Sequence, residues 1–96
     1  MSTIGKTFAN GEVIIKEGDI GNSFFQILEG NAGVYKNYGL GDQVKLTVLV
    51  PGQYFGEMAV IESYPRSSTV VAESDVKLVE IPADDLNAYF TEKKIF

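Results

Sequence analysis

The chain has neither cysteine nor histidine among its 96 residues. Without cysteine it has no disulfide framework and no thiolate nucleophile, which is compatible with a reducing compartment such as the cytoplasm. The lack of both residue types removes the usual zinc and copper ligands and every nucleophile that pairs with a histidine base. We therefore predict a protein that is not an enzyme and that uses no metal or other cofactor.

Positive charge is also scarce, because the net charge is -5 and Arg66 is the only arginine. The basic residues form no patch, so we expect no direct binding of nucleic acid by this domain. No window reaches the roughly 18 consecutive apolar residues of a membrane span, and we expect a cytoplasmic protein without membrane insertion. An anionic ligand approaches such a protein against its net field, so its binding depends on short-range contacts.

The length suits one small domain, which we predict to span residues 1–96 with a single core. Short β-branched segments recur about every ten residues, a pattern typical of an antiparallel sandwich or jelly roll. The predicted strands are Glu12–Lys16, Ser23–Leu28, Ala32–Lys36, Val44–Val50, Ser68–Ala72 and Val76–Ile81.

The segments between these strands complete the predicted fold. Met1–Asn10 has little pattern, and we expect an irregular lead-in. The turn sequences Glu29-Gly30-Asn31 and Glu73-Ser74-Asp75 each predict a hairpin between the strands that flank them. A short internal helix is predicted over Glu57–Ile61, and a C-terminal helix from Ala83.

A candidate anion pocket lies in the stretch from Phe55 to Ala72. Gly56 lets the backbone approach a ligand closely, and the helix over Glu57–Ile61 would point its first amides at an anion. Arg66 adds a planar fork of donors that matches phosphate oxygens, and two serines follow it.

The motifs around this pocket resemble the cyclic-nucleotide-binding domain family. Its phosphate-binding cassette is similar to Phe55-Gly56-Glu57-Met58-Ala59 followed by Pro65-Arg66-Ser67-Ser68-Thr69-Val70. Further similar segments, in the same order, are Gly11-Glu12-Val13-Ile14, Glu17-Gly18-Asp19, Phe24 to Gly30, Val34-Tyr35 and Val76 to Ile81. The resemblance implies a jelly roll, or double-stranded β-helix, that binds cAMP or cGMP and acts as a regulatory domain in signal transduction.

The resemblance also implies a role for each cassette residue. Arg66 would pair with an oxygen of the cyclic phosphate, and Glu57 would accept a hydrogen bond from the ribose 2'-hydroxyl. Gly56, Ala59 and Ser67 would line the phosphate, either by donating from their backbone amides or by leaving room for it. For Ala59, packing at a helix–sheet contact is an equally good explanation.

The remaining pocket residues leave the choice of base open. Relatives with alanine at the position of Ser67 generally prefer cAMP, whereas relatives with threonine there accept cGMP better. Serine is intermediate between the two. Ser68 stands where the family usually has alanine, and its hydroxyl would bind or replace a water beside the phosphate. Met58 belongs to the cassette, although a core contact explains it most simply. Val44 or Leu46 would form an apolar wall facing the sugar and base.

Two alternatives compete with this interpretation. Arg66 alone would be explained by a surface ion pair, in which case its removal would barely change the stability of the domain. The same fold also serves as a docking or structural domain without nucleotide. The family's usual lid helix would follow Phe96, so we expect an excised domain, a lid from a partner or an open site. The effector is unknown, and a homodimer remains open.

Overall fold

The computed structural model describes residues 4–56 and 65–82, which form eight strands. These are β1 (Ile4–Phe8), β2 (Val13–Ile15), β3 (Ser23–Glu29), β4 (Ala32–Lys36), β5 (Val44–Leu49), β6 (Tyr54–Phe55), β7 (Thr69–Ala72) and β8 (Val76–Pro82). Sheet A has the strand order β1-β8-β3-β6, sheet B has the order β2-β7-β4-β5, and all pairings are antiparallel. The predicted antiparallel jelly roll is confirmed. The helices predicted over Glu57–Ile61 and from Ala83 lie outside the described residues.

The core lies between the two sheets, because both contribute buried apolar side chains to one cluster. Sheet A supplies Phe25, Ile27, Phe55, Val76 and Leu78, and sheet B supplies Ala32, Leu49, Val70 and Ala72. The rings of Phe25 and Phe55 stack with their centroids 5.0 Å apart. Removing this apolar surface from water is the main force that holds the sheets together.

Residues 4–8 form a strand, so the expectation of an irregular lead-in from Met1 to Asn10 was wrong. β1 pairs along its whole length with β8, from Ile4 opposite Glu80 to Phe8 opposite Val76. Four of its five residues are exposed. Because the strand is held mainly by backbone pairing with β8, its own sequence carries little apolar pattern.

The two predicted hairpins were also wrong, because each turn leads from one sheet to the other. β3 belongs to sheet A and β4 to sheet B, while β7 belongs to sheet B and β8 to sheet A. The two turns pack side by side: the Asn31 amide donates to Ser74 Oγ at 3.0 Å, and the Glu73 amide donates to the Asn31 carbonyl at 2.9 Å. A compact turn sequence predicts a change of direction but does not say which sheet receives the next strand.

β5 forms where its alternating pattern predicts a strand, yet the alternating residues Val44, Leu46 and Val48 are exposed and do not face the core. Val44 and Leu46 are 53% and 54% exposed, whereas Leu49 is buried opposite Ala32. β5 is an edge strand of sheet B, and its register with β4 shifts between Val34 and Tyr35. Val44 and Leu46, the two residues suggested as an apolar wall for the ligand, are thus both exposed.

Within residues 4–56 and 65–82, no helix has the length and apolar character needed to cross a membrane.

Candidate functional site

The backbone of Arg66 is fixed by the turn that follows β2. The Arg66 amide donates to the Asp19 carbonyl at 2.7 Å, and the Gly18 amide donates to the Arg66 carbonyl at 2.8 Å. Gly18 has a φ of 90°, a conformation that glycine adopts without the steric cost of a side chain. The turn at Glu17-Gly18-Asp19 therefore holds residue 66 just before β7.

The side chain of Arg66 is buried, with only 6% of its surface exposed. Its Nη2 donates to the Ser23 carbonyl at 2.8 Å, and its Nη1 donates to the Gly56 carbonyl at 2.9 Å. The guanidinium carbon also lies 5.6 Å from the centre of the Phe25 ring. The alternative of an exposed surface ion pair is thus wrong, and the expectation that removing Arg66 would barely affect stability loses its basis.

Two glycines make room for this side chain. A Cβ atom at Gly21 would lie 2.2 Å from Arg66 Nη2, and one at Gly56 would lie 2.9 Å from Nη1. Gly56 also has a φ of 84°, which L-residues rarely adopt. An anion pocket needs a backbone without bulk, and Gly21 and Gly56 meet that requirement around the guanidinium.

Two acidic residues compensate the buried charge. Burial lowers the pKa of Arg66 below its ordinary value, while the nearby carboxylates of Glu80 and Asp19 act to raise it. Glu80 is itself fixed, since its carboxylate accepts from Ser23 Oγ at 2.6 Å and pairs with Lys6 Nζ at 2.6 Å. Arginine remains protonated under such conditions, so the site presents a fixed positive charge.

Arg66 retains donors for a ligand. A guanidinium has five N–H groups. Among the described residues, Ser23 and Gly56 accept from it through their carbonyls, one from each terminal nitrogen. An anion could therefore bind the remaining donors without breaking both backbone contacts.

The two serines after Arg66 extend the site toward solvent. Ser67 is exposed and Ser68 is partly exposed. Within residues 4–56 and 65–82, neither their hydroxyl groups nor their amides donate a hydrogen bond. The Ser67 carbonyl, in contrast, accepts from Lys36 Nζ at 2.6 Å. The donors of the two serines therefore have no acceptor among the described residues, while the carbonyls of Arg66 and Ser67 accept from Gly18 and Lys36.

A groove of about 390 Å³ borders the guanidinium on the side of β1 and β2. Its polar lining near Arg66 includes Lys6, Asp19, Ser23 and Glu80. In the described part of the chain, no group of three or more acidic side chains is arranged to hold a metal ion.

The structure describes four of the seven predicted site residues. Arg66 contacts the carbonyl of Gly56, and Ser67 and Ser68 follow Arg66 directly in the chain, whereas Glu57, Met58 and Ala59 lie outside the described residues. The sequence offered no reason to include Gly21 or Ser23 in the site. Gly21 contributes by having no side chain next to the guanidinium, and Ser23 contributes its backbone carbonyl. The one available signal was that Gly21-Asn22 is a loop sequence just before the predicted strand Ser23–Leu28.

A family model described as the cyclic nucleotide-binding domain matches residues 5–93. The chain belongs to this family. The fold class and the resemblance found in the sequence are both confirmed by this match.

Similar proteins agree with this assignment. The cAMP-dependent protein kinase regulatory subunit of Schizosaccharomyces pombe is 43% identical over 77 residues, which are 80% of this chain and 18% of that protein. The regulatory domain of Toxoplasma gondii PKA, solved with cAMP, is 28% identical with a TM-score of 0.81, covering 90% of this chain and 33% of that one. The cAMP-bound EAL enzyme Bd1971 is also 28% identical, with a TM-score of 0.82, covering 93% and 24%. The chain spans less than a fifth of the curated relative, so it corresponds to one part of such a protein.

Proposed function

We propose that this chain is a single regulatory domain that binds cAMP or cGMP at Arg66 and relays binding to an effector. The observation that carries the proposal is the buried Arg66 guanidinium, which donates to two described carbonyls through two of its five N–H groups and is followed in the chain by two serines whose hydroxyls donate to no described residue. A cyclic phosphate has oxygens that suit both kinds of donor. The chain's membership in the cyclic nucleotide-binding domain family supports this ligand class.

Three residues outside the described ranges belong to the same proposal. Glu57 would accept from the ribose 2'-hydroxyl, Ala59 would line the phosphate, and Met58 would pack beside them. They directly follow Gly56, whose carbonyl contacts Arg66. A ligand that binds the Arg66 guanidinium would therefore affect the position of Gly56, where the predicted cassette helix begins.

Relay requires that the ligand favour one conformation over another. Arg66 contacts Gly56 on one side and Ser23 on the other, and Ser23 is bonded to Glu80 of β8. β8 leads into the predicted C-terminal helix from Ala83. We propose that these contacts couple the phosphate site to that helix, and that the domain itself is not catalytic. The partner would be a protein or domain of the kind regulated in the similar kinase regulatory subunits.

The decisive test is the thermal midpoint of the protein with and without cyclic nucleotide. A ligand that binds only the folded state stabilises it by about 2.7 kcal/mol at 100 times its dissociation constant. We expect cAMP or cGMP to raise the midpoint and adenosine to leave it unchanged, because adenosine lacks the phosphate. Calorimetric titration would then give the dissociation constant of each nucleotide.

The burial of Arg66 favours a second function, a docking or structural domain in which this side chain only joins the sheets. A folded protein whose midpoint responds to neither nucleotide at millimolar concentration would contradict nucleotide binding and favour that alternative.

A further inference from the structure

Lys36 contacts the cassette although it lies outside the predicted site. Its Nζ donates to the Ser67 carbonyl at 2.6 Å and to Glu17 Oε2 at 3.2 Å. Lys36 is the last residue of β4, and Glu17 lies in the turn after β2. The pair thus joins two strand ends of sheet B to the segment that carries the serines.

Glu17 is held in place by bonds on both its side chain and its backbone. Its Oε1 accepts from the Asn37 amide at 3.0 Å, and its own amide donates to Thr69 Oγ1 at 3.0 Å. The Asn37 amide and the Lys36 ammonium lower the pKa of the Glu17 carboxyl. The carboxylate is therefore ionised at neutral pH and restrains Lys36 beside Ser67.

The contacts to two successive carbonyls determine where two amides point. The Arg66 carbonyl accepts from the Gly18 amide at 2.8 Å, and the Ser67 carbonyl accepts from Lys36. In a trans peptide the N–H points opposite to the C=O of the same plane. The amides of Ser67 and Ser68 consequently point away from Gly18 and Lys36, and no described residue accepts a hydrogen bond from them.

We propose that Lys36, held by Glu17, is a positioning residue that fixes the Ser67–Ser68 peptide plane and so aims the Ser68 amide at a ligand phosphate oxygen. This inference rests on the proposed binding of a cyclic nucleotide at Arg66. A donor that is already oriented loses less conformational freedom when the ligand binds, so the lysine increases affinity without touching the ligand.

The test compares Lys36→Met with Lys45→Met in calorimetric titrations of the whole chain with cAMP and cGMP. Lys45 is a matched control, because its side chain is 43% exposed against 46% for Lys36 and is likewise ion-paired, in its case with Glu73. We expect Lys36→Met to weaken binding about tenfold, as for loss of one charge-assisted bond, and Lys45→Met to change it by less than about twofold.

Two further measurements separate positioning from a structural role. The Ser68 amide resonance of the ligand-free protein should shift in Lys36→Met and stay in place in Lys45→Met, because only Lys36 holds that peptide plane. Lys36→Arg should restore most of the affinity, since its donors can reach the same carbonyl. Glu17→Gln should weaken binding as well, and it carries the test if Lys36→Met does not fold.

The outcomes distinguish this inference from the proposed function. If Lys36→Met binds as tightly as wild type while Arg66→Ala does not bind, the positioning role is wrong and the proposed function stands. Equal weakening in Lys36→Met and Lys45→Met would also overturn it, because the effect would then be one of net charge. If wild type binds neither nucleotide, the proposed function fails and the positioning role fails with it.

Discussion

The Nη2 atom of Arg66 donates to the carbonyl of Ser23 at 2.8 Å, joining residues 43 positions apart in the sequence. Ser23 begins β3 and pairs with Pro82 of β8, so its carbonyl belongs to sheet A. Arg66 directly precedes the serines that lead into β7 of sheet B. One side chain therefore bridges the two sheets and supplies the charge of the candidate site.

Arg66→Ala is expected to weaken both stability and ligand binding. It leaves the carbonyls of Ser23 and Gly56 without their donor, which should cost at least about 1 kcal/mol of unfolding free energy. Loss of the positive charge should reduce nucleotide affinity at least about thirtyfold. Arg66→Lys should recover part of the affinity, because it keeps the charge but not the two-pronged geometry. Denaturant unfolding and calorimetry measure the two effects, and full affinity in Arg66→Ala would contradict the site.

Gly21→Ala is expected to displace the guanidinium. The new Cβ would lie 2.2 Å from Arg66 Nη2, so the side chain or the turn must move. We expect a loss of about 1–3 kcal/mol of stability together with weaker nucleotide binding. Gly41→Ala is the control, because nothing lies within 4 Å of its added Cβ. A Gly21→Ala protein that matches wild type in both measurements would show that Arg66 has another equally good position.

Ser67→Ala is expected to change base preference without changing stability. The Ser67 side chain is exposed and donates to no described residue, so unfolding free energy should stay within about 0.5 kcal/mol of wild type. If the hydroxyl reaches a guanine amino group, its loss should lower cGMP affinity relative to cAMP about two- to tenfold. Competition titrations of both nucleotides measure the ratio, and an unchanged ratio would exclude this contact.

Acid is expected to destabilise the fold below about pH 4.5. The pKa of Glu80 is lowered from 4.5 by Lys6 and by the Ser23 hydroxyl, and the pKa of Glu73 is lowered by Lys45 and Tyr35. A carboxyl with a lowered folded-state pKa stabilises the fold above its unfolded pKa and loses this contribution as pH falls through the lowered value. Thermal midpoints from about pH 6 to about pH 3 should fall less steeply in Glu80→Gln than in wild type. An identical slope would show that Glu80 does not contribute.

Gly30→Ala and Gly39→Ala together test the packing of the two turns between the sheets. Both glycines have positive φ, at 85° and 82°. A Cβ at Gly30 would lie 2.1 Å from the Asp75 carbonyl, whereas nothing lies within 4 Å of one at Gly39. Both variants should lose about 1–2 kcal/mol from backbone strain, and Gly30→Ala should lose clearly more. Equal losses of unfolding free energy in the two variants would show that the turn at Gly30 can move away from the turn at Asp75 at little cost in stability.

The sequence predicted most strands because their β-branched runs and turn residues are local signals. It did not predict which sheet receives each strand, since the turns at Gly30 and Ser74 look like those of hairpins. β1 was missed because its pairing with β8 depends on residues far along the chain. The apolar alternation of β5 predicted a strand correctly, but an edge position leaves residues such as Leu46 exposed.

For the candidate site, the cassette motif identified Arg66 but not its burial. Its partners are the backbone carbonyls of Ser23 and Gly56, and a carbonyl is present at every residue, so sequence gives no sign of which one will be used. Lys36 was invisible for a similar reason, because it acts on the carbonyl of Ser67. The roles predicted for Glu57, Met58 and Ala59 stay predictions.

The pairing of β1 with β8 has a consequence for synthesis on the ribosome. Ile4 lies opposite Glu80, so the first strand has no sheet A neighbour until the last strand has been made. β3 also depends on β8, which lies between β1 and β3. A nascent chain that stops before residue 76 can complete neither pairing, and its apolar strands stay open to chaperones. Sheet A therefore cannot complete its pairing until β8 has left the exit tunnel.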